Sequence, residues 1–447
     1  MVGLAIVIHL FIIVLGISFV IYDYKRRHNN KLSVFMGTNL VFTFIYGLIP
    51  AILILNDFFV GKTDFYLIYT IDKENEPYLY ISIVILIGYI CMLLGYFLSN
   101  PYKRYKQKFY IPRRYLKYVA FSLLLVSSFC VFYFFVSMGG FINSFKYIEA
   151  IRAGNINIPG PIFLLLPVSI VSFLIYLSFQ LDKVNIFSIN FLFLLISLIN
   201  SIYYLLIFGG RLPIALFILI IPMYIMERKG KWGFKNLFLI FIVGVLSLNY
   251  LDSLFKLLSQ SSDDIAVKSV LDNIPRLIAQ FSFPYINTLH VHDFTYSNIE
   301  FRYFIDLISW IINYLPSNIA SVIGLDQITP SYTLNTENHL MFDPSNKTAG
   351  GVPTDIVTFG YYQFSIVGVI IITFLFGLLV SWFDRFFNNS HQSTFITLAK
   401  IRLFQVISFY PMYADIEAFM RRRIDVVLII VLLVLFSKKH GEDSSQD

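Results

Sequence analysis

Runs of apolar residues separated by short polar stretches recur along the whole chain. They fall at about 2–22, 33–55, 78–98, 118–138, 161–181, 186–207, 212–226, 237–255, 362–383, 395–412 and 416–436. A bilayer core about 30 Å thick is crossed by roughly 20 such residues in a helix. The pattern predicts an all-α polytopic membrane protein of about eleven spanning helices, within a range of about 10–12. Residues 1–255 would form an N-terminal transmembrane bundle, 256–361 one large loop, and 362–447 the C-terminal helices and a short tail.

The large loop carries its own periodicity. Residues 301–315 read FRYFIDLISWIINYL, apolar on one face at helical spacing and stopped by Pro316. Aromatic residues at both ends suit a helix lying in the membrane interface. Asn335 to Pro353 is polar and rich in turn formers, as a loop should be.

Composition agrees with lipid as the solvent. Charged residues make up 14% of the chain, against about 25% in soluble domains, and 57% of residues are hydrophobic. The net charge of +7 does not indicate nucleic acid, because the basic residues sit in short loops between apolar runs. Lys25, Arg26 and Arg27 follow the first run; Lys103 to Lys117 and Arg228 to Lys235 form two further basic loops; Lys438 and Lys439 follow the last run. If all runs span, these share one side, which the positive-inside rule makes the cytoplasm. The N-terminus and the loops at 57–77, 139–160 and 256–361 are then expected outside. With its positive flank after it, the first run reads as a retained helix, the reverse of a secretory signal peptide. Cys91 and Cys130 both lie in apolar runs and form no disulfide framework.

Arginines on the expected outer side run against this charge bias. Arg152 lies in YIEAIRAG and Arg211 in FGGRLP, where Gly209 and Gly210 break one helix and Pro213 starts the next. Arg276 falls early in the large loop, and Arg421, Arg422 and Arg423 precede the last apolar run. That run is too short to span alone, so its helix is expected to extend back through the arginines. Lys400 and Arg402 interrupt the preceding span. Ionisable groups at membrane depth are costly and usually line a functional cavity. Guanidinium forks match phosphate oxygens, so these positions suggest a polyanion site, a lipid-linked diphosphate being the membrane-embedded example. The plainer alternative is snorkelling, or pairing with Asp415, Glu417 and Asp425.

His339 and Asp355, both on the expected outer side, are candidates for a general base. His290, His292 and Asp293 form HVHD, which would bind metal only from a strand and lacks further ligands, so no metal site is assigned. His9, alone on the first run, reads as a packing residue. There is no P-loop and no DxD motif, which weighs against cytoplasmic nucleotide chemistry.

Four segments together resemble the O-antigen or oligosaccharide repeat-unit polymerase family: 139–154, FGGRLP at 208–213, INYLPSNI at 312–319, and GGVPTDIVTFGYYQFSIVG at 350–368, with Pro353, Gly360 and Gly368 placed as in that family. The resemblance implies a GT-C-like glycosyltransferase of the bacterial inner membrane, acting in lipopolysaccharide or related polysaccharide synthesis. It implies undecaprenyl-diphosphate-linked glycans as donor and acceptor at the periplasmic face, lipid diphosphate as leaving group, and no cofactor. A chain-length-regulating co-polymerase would be a further partner. Arg152, Arg211 and Arg276 match the family's outer-loop arginines and, with Arg421 and Arg422 from the charged stretch before the last run, would bind diphosphate, with His339 first and Asp355 second as base. An O-antigen ligase, which shares carrier and topology, and a lipid-linked glycan flippase are the alternatives.

Overall fold

A computed structural model of the chain describes residues 1–26, 32–60, 77–102, 109–146, 165–230, 243–244, 250–251, 274–295, 301–312, 334, 352–390, 393–436 and 438–439. In chain order the helices are α1 (Val2–Arg26), α2 (Val34–Asn56), α3 (Tyr78–Leu98), α4 (Arg113–Ser137), α5 (Phe141–Lys146), α6 (Val168–Asp182), α7 (Ile189–Phe208), α8 (Arg211–Ile218), α9 (Ile220–Lys229), α10 (Ile274–Thr295), α11 (Asp306–Ile312), α12 (Ile356–Asn388), α13 (Thr394–Ser408), α14 (Ile416–Arg422) and α15 (Ile424–Leu435). Among the described residues, α1, α2, α3, α4, α7 and α12 are long and apolar enough to cross a membrane. The protein is a multi-pass membrane protein. The described residues also include a 3-10 turn at Tyr410–Met412 and a two-residue pairing, in which β1 (Phe109–Tyr110) lies antiparallel to β2 (Lys438–Lys439), Phe109 opposite Lys439.

Most of the long apolar runs become helices near their expected limits. The differences lie where a helix breaks. The run at 212–226 is two helices meeting at Leu219. The last helix does not extend back through the arginines: α14 ends at Arg422, Arg423 takes φ −127°, ψ 34°, and α15 starts afresh. The interfacial helix expected from Phe301 begins only at Asp306, because Tyr303 and Phe304 have positive φ. The segment expected to be a large loop contains α10, whose Phe283, Tyr285, Ile286, Asn287, Thr288 and Leu289 are buried. Most of the expected span at 237–255 lies outside the described residues.

Helix α12 is a hairpin in disguise. Phe364 and Ser365 leave helical geometry, Ser365 with φ 52°. In a straight helix, residues nine apart are separated by about 13.5 Å along the axis. A Cβ added to Gly360 would instead lie 2.6 Å from the Cα of Val369. Ile356–Gln363 is thus a half-helix folded back against the long limb that follows. Its end is closed from outside: Arg302 and Tyr303 N–H groups donate to the carbonyls of Tyr362 and Gln363 at 3.1 and 3.0 Å. These are carbonyls a helix C-terminus leaves without partners. Asp306 ties the same corner, accepting from Arg302 at 2.8 Å and from the Gln363 amide at 2.7 Å.

The long limb packs on α3 with almost no side chain between. A Cβ on Gly95 would lie 2.2 Å from the Phe374 carbonyl oxygen, and one on Gly377 2.1 Å from that of Met92. Small residues at such crossings let two backbones approach within lipid, where dispersion contacts replace the hydrophobic drive. At the far end of the limb, Asp384 accepts from the Val34 and Phe35 N–H groups at 2.8 and 3.2 Å, and from Ser33 and Tyr96 hydroxyls at 3.1 Å each. A carboxylate at a helix N-terminus satisfies orphan donors and meets the positive end of the dipole. Near the same end, Lys400 pairs with Glu227 at 2.7 Å, and Glu227 also accepts from the Leu32 N–H at 2.9 Å.

Candidate functional site

Two helix breaks converge on one electropositive cluster. Helix α7 ends in a π-turn at Leu205–Gly209, and Gly210 adopts φ 77°, ψ −177°, a conformation open essentially to glycine alone. Helix α8 then starts at Arg211, two residues ahead of the expected Pro213. A cation in a first turn opposes the helix dipole, so here guanidinium and backbone add to one positive potential.

The second break is Arg423, between α14 and α15. The Tyr204 hydroxyl on α7 donates to the Arg422 carbonyl at 3.0 Å, which joins the two breaks. Arg211, Arg422 and Arg423 all act electrostatically on the Tyr413 ring, and Arg402, Arg422, Arg423 and Asp425 on Tyr204. Arg422 is exposed and Arg211 and Arg423 half-buried, so the cluster opens outward. Arg402 is its floor. That residue is fully buried and its Nε and Nη2 meet Asp425 Oδ2 at 2.8 and 2.7 Å. Among the described residues Arg402 Nη1 has no hydrogen-bond partner. A buried guanidinium with a spare donor is expensive unless something supplies an acceptor. Among the described residues four guanidinium groups stand here against the carboxylates of Asp425 and nearby Asp415, so an added polyanion lowers the energy of the arrangement.

A second polar nest lies beside the first. Asp355 caps the half-helix: its Oδ1 accepts from the Val357 and Thr358 N–H groups at 3.1 and 3.0 Å and from the Tyr46 hydroxyl. Its Oδ2 has no hydrogen-bond partner among the described residues, although the residue is completely buried. Tyr46 reaches it because α2 contains a π-turn at Phe44–Leu48, and His9 Nδ1 bonds the Tyr46 carbonyl at 2.7 Å. His9 Nε2 in turn meets Ser82 Oγ at 2.9 Å. On the other side the Asn287 amide donates to the Pro353 carbonyl at 2.8 Å, and its Oδ1 is also unpartnered. The two nests touch: the Ala414 N–H donates to the Thr354 carbonyl at 2.7 Å, one residue from both Asp355 and Tyr413.

Of the residues expected from sequence, Arg211 and Arg422 come together and Asp355 lies next to them. Arg276 falls in the first turn of α10 and Arg421 in α14, but their side chains lie outside the described residues, as do Arg152 and His339 entirely. His290 and His292 stand on α10, where alternate positions point about 200° apart, and do not have the strand spacing a HVHD metal site would need. Arg402 and Arg423 were visible as charges in apolar surroundings. Tyr46, Tyr204 and Tyr413 carried no signal among thirty tyrosines. His9, expected only to pack, is a hydrogen-bonded member of the network.

The family model described as O-antigen polysaccharide polymerase Wzy matches residues 2–440. No curated protein and no solved structure matches the chain.

Proposed function

Because the chain belongs to the O-antigen polysaccharide polymerase Wzy family, we propose that it joins undecaprenyl-diphosphate-linked repeat units at the periplasmic face of the bacterial inner membrane. The observation that carries this reading is the cluster of Arg211, Arg402, Arg422 and Arg423 around Tyr204 and Tyr413. Guanidinium groups hold the donor diphosphate through paired hydrogen bonds. As the glycosidic bond to the diphosphate breaks, negative charge grows on the leaving oxygen. Fixed arginines stabilise that charge without reorganising. The spare donor on Arg402 gives the floor of the site one bond to offer.

The acceptor sugar hydroxyl must lose its proton as it attacks the donor's anomeric carbon. Asp355 takes that proton in this reading, ahead of His339. Its Oδ2 is the unpartnered carboxylate oxygen of the nest joined to the arginine cluster, and acceptor binding has to part the packing that covers it.

Purified protein in lipid vesicles, given lipid-diphosphate-linked repeat units, tests both parts. Chain extension with release of lipid diphosphate is expected from the wild type; none would overturn the proposed reaction. Asp355→Asn should lower turnover by about a hundredfold or more with donor binding retained. Near-normal turnover in Asp355→Asn, with His339→Ala inactive, would return the base to His339.

A further inference from the structure

The base reading leaves open what holds the Asp355 carboxylate in one orientation. We propose that Tyr46 is the positioning residue for Asp355, set in place by His9, so that Oδ2 is the oxygen left to accept the proton. This rests on the reading of Asp355 as base.

Among the described residues three hydrogen bonds converge on Oδ1 and none on Oδ2, with the Thr358 side chain also acting on the carboxylate from the half-helix. Two of the three belong to the half-helix itself and would be present with any N-cap carboxylate. The third, the Tyr46 hydroxyl, comes from another helix more than three hundred residues away in sequence. It also accepts from the Val357 N–H at 3.4 Å, so the ring is braced at both faces of its oxygen. A carboxylate can turn about its own bond, and a capping bond alone does not say which oxygen turns outward. Donors held by two separate helices do.

The geometry that brings Tyr46 there is itself built. A regular helix would spend the Tyr46 carbonyl on its own ladder. The π-turn widens the helix at that point, a distortion often found where a side chain has a task. The widened turn places the Tyr46 carbonyl against His9 Nδ1. His9 is held on three sides, by that carbonyl, by Ser82 and by the edge-on ring of Tyr285 at 5.4 Å. Apolar packing alone would not call for a histidine with both nitrogens engaged.

Other titratable groups on the elements packed against this nest are Tyr78 and Tyr80 on α3, Tyr285, His290 and His292 on α10, Tyr361 and Tyr362 on the half-helix, and Tyr413 and Asp415 on the adjoining segment. Among the described residues none of them hydrogen-bonds to Asp355; the Thr358 side chain acts on it from the half-helix, and the Tyr46 hydroxyl is the donor that reaches it from another helix, so its removal tests the link between the two.

The test is the pH profile of kcat in reconstituted vesicles, normalised to folded protein from size-exclusion profiles. Loss of a donor to a carboxylate destabilises the anion, so its pKa rises. Tyr46→Phe should move the acidic limb of kcat upward by about one pH unit and lower kcat roughly tenfold or more, with donor KM unchanged. His9→Leu should shift the same limb in the same direction. His9→Asn, which restores a donor for the Tyr46 carbonyl, should recover part of that loss. An unmoved limb in Tyr46→Phe and His9→Leu, with Asp355→Asn inactive, would overturn the positioning role and leave the base reading standing. Full turnover in Asp355→Asn would remove both.

Discussion

The contact between α3 and the long limb of α12 should be intolerant of a single methyl group. A Cβ on Gly95 would stand 2.2 Å from the Phe374 carbonyl oxygen and 3.1 Å from the Leu378 nitrogen. Both are backbone atoms and cannot rotate away. Ordinary contact begins near 3.4 Å, so Gly95→Ala forces the helices apart by about 1 Å at that point. Overpacking of this kind costs about 1–3 kcal/mol, and the helix-propensity gain of alanine over glycine returns up to about 1 kcal/mol. A net loss of about 1–2 kcal/mol is expected. The chain carries its own reporters: Cys91 on α3 is half-buried and Cys130 on α4 is buried, both as free thiols. Thermal unfolding in detergent, followed with a thiol-reactive fluorogenic dye, should show Gly95→Ala exposing them at lower temperature than the wild type. Gly3→Ala, where the added atom meets nothing within 4 Å, is the control and should unfold no earlier. A Gly95→Ala protein as stable as Gly3→Ala would refute the close packing of these two helices.

Arg402→Met leaves Asp425 charged and unpaired at a buried position, and should cost about 3–5 kcal/mol in the same unfolding assay; the double change Arg402→Met with Asp425→Leu should recover most of it. Arg211→Lys keeps the charge and loses the fork, so normal membrane levels with loss of long glycan chains are expected, and wild-type chain length would remove Arg211 from the site. Chain extension should persist in excess chelator; activity abolished by EDTA and restored by a divalent ion would place a metal in the reaction.

The membrane fold was legible because a span is a crude signal. Around twenty apolar residues suffice, and Val2–Arg26, Tyr78–Leu98 and Arg113–Ser137 follow their runs closely. Breaks within runs were not legible. Leu219 interrupts an unbroken apolar stretch, and at Arg423 the change from arginine to apolar residues marks a boundary without saying that the helix stops there; backbone geometry at both is settled by packing, not by local preference. Helix α10 was hidden because Arg276, Pro284, His290 and His292 dilute its apolar residues below the threshold for a span. At the site, the arginines announced themselves because charge is costly in lipid. The tyrosines did not, since a tyrosine in an apolar helix is unremarkable until its hydroxyl is seen to meet Asp355 or the Arg422 carbonyl. Asp355 was found by type and position, and its capping bonds to Val357 and Thr358 are local, but its bond from Tyr46 joins helices more than three hundred residues apart, which no local pattern encodes.

The small pairing of Phe109–Tyr110 with Lys438–Lys439 has a topological consequence. Strands joined by backbone hydrogen bonds occupy the same aqueous compartment. The chain between Tyr110 and Lys438 must therefore cross the bilayer an even number of times. Any revision of the span count within that stretch comes in pairs. Should α10 traverse the membrane completely, a second segment between the two strands has to traverse it as well. The half-helix of α12, folded back on the long limb, adds no crossing of its own to this count. Four residues at the edge of the molecule thus constrain the arrangement of the more than three hundred that separate them.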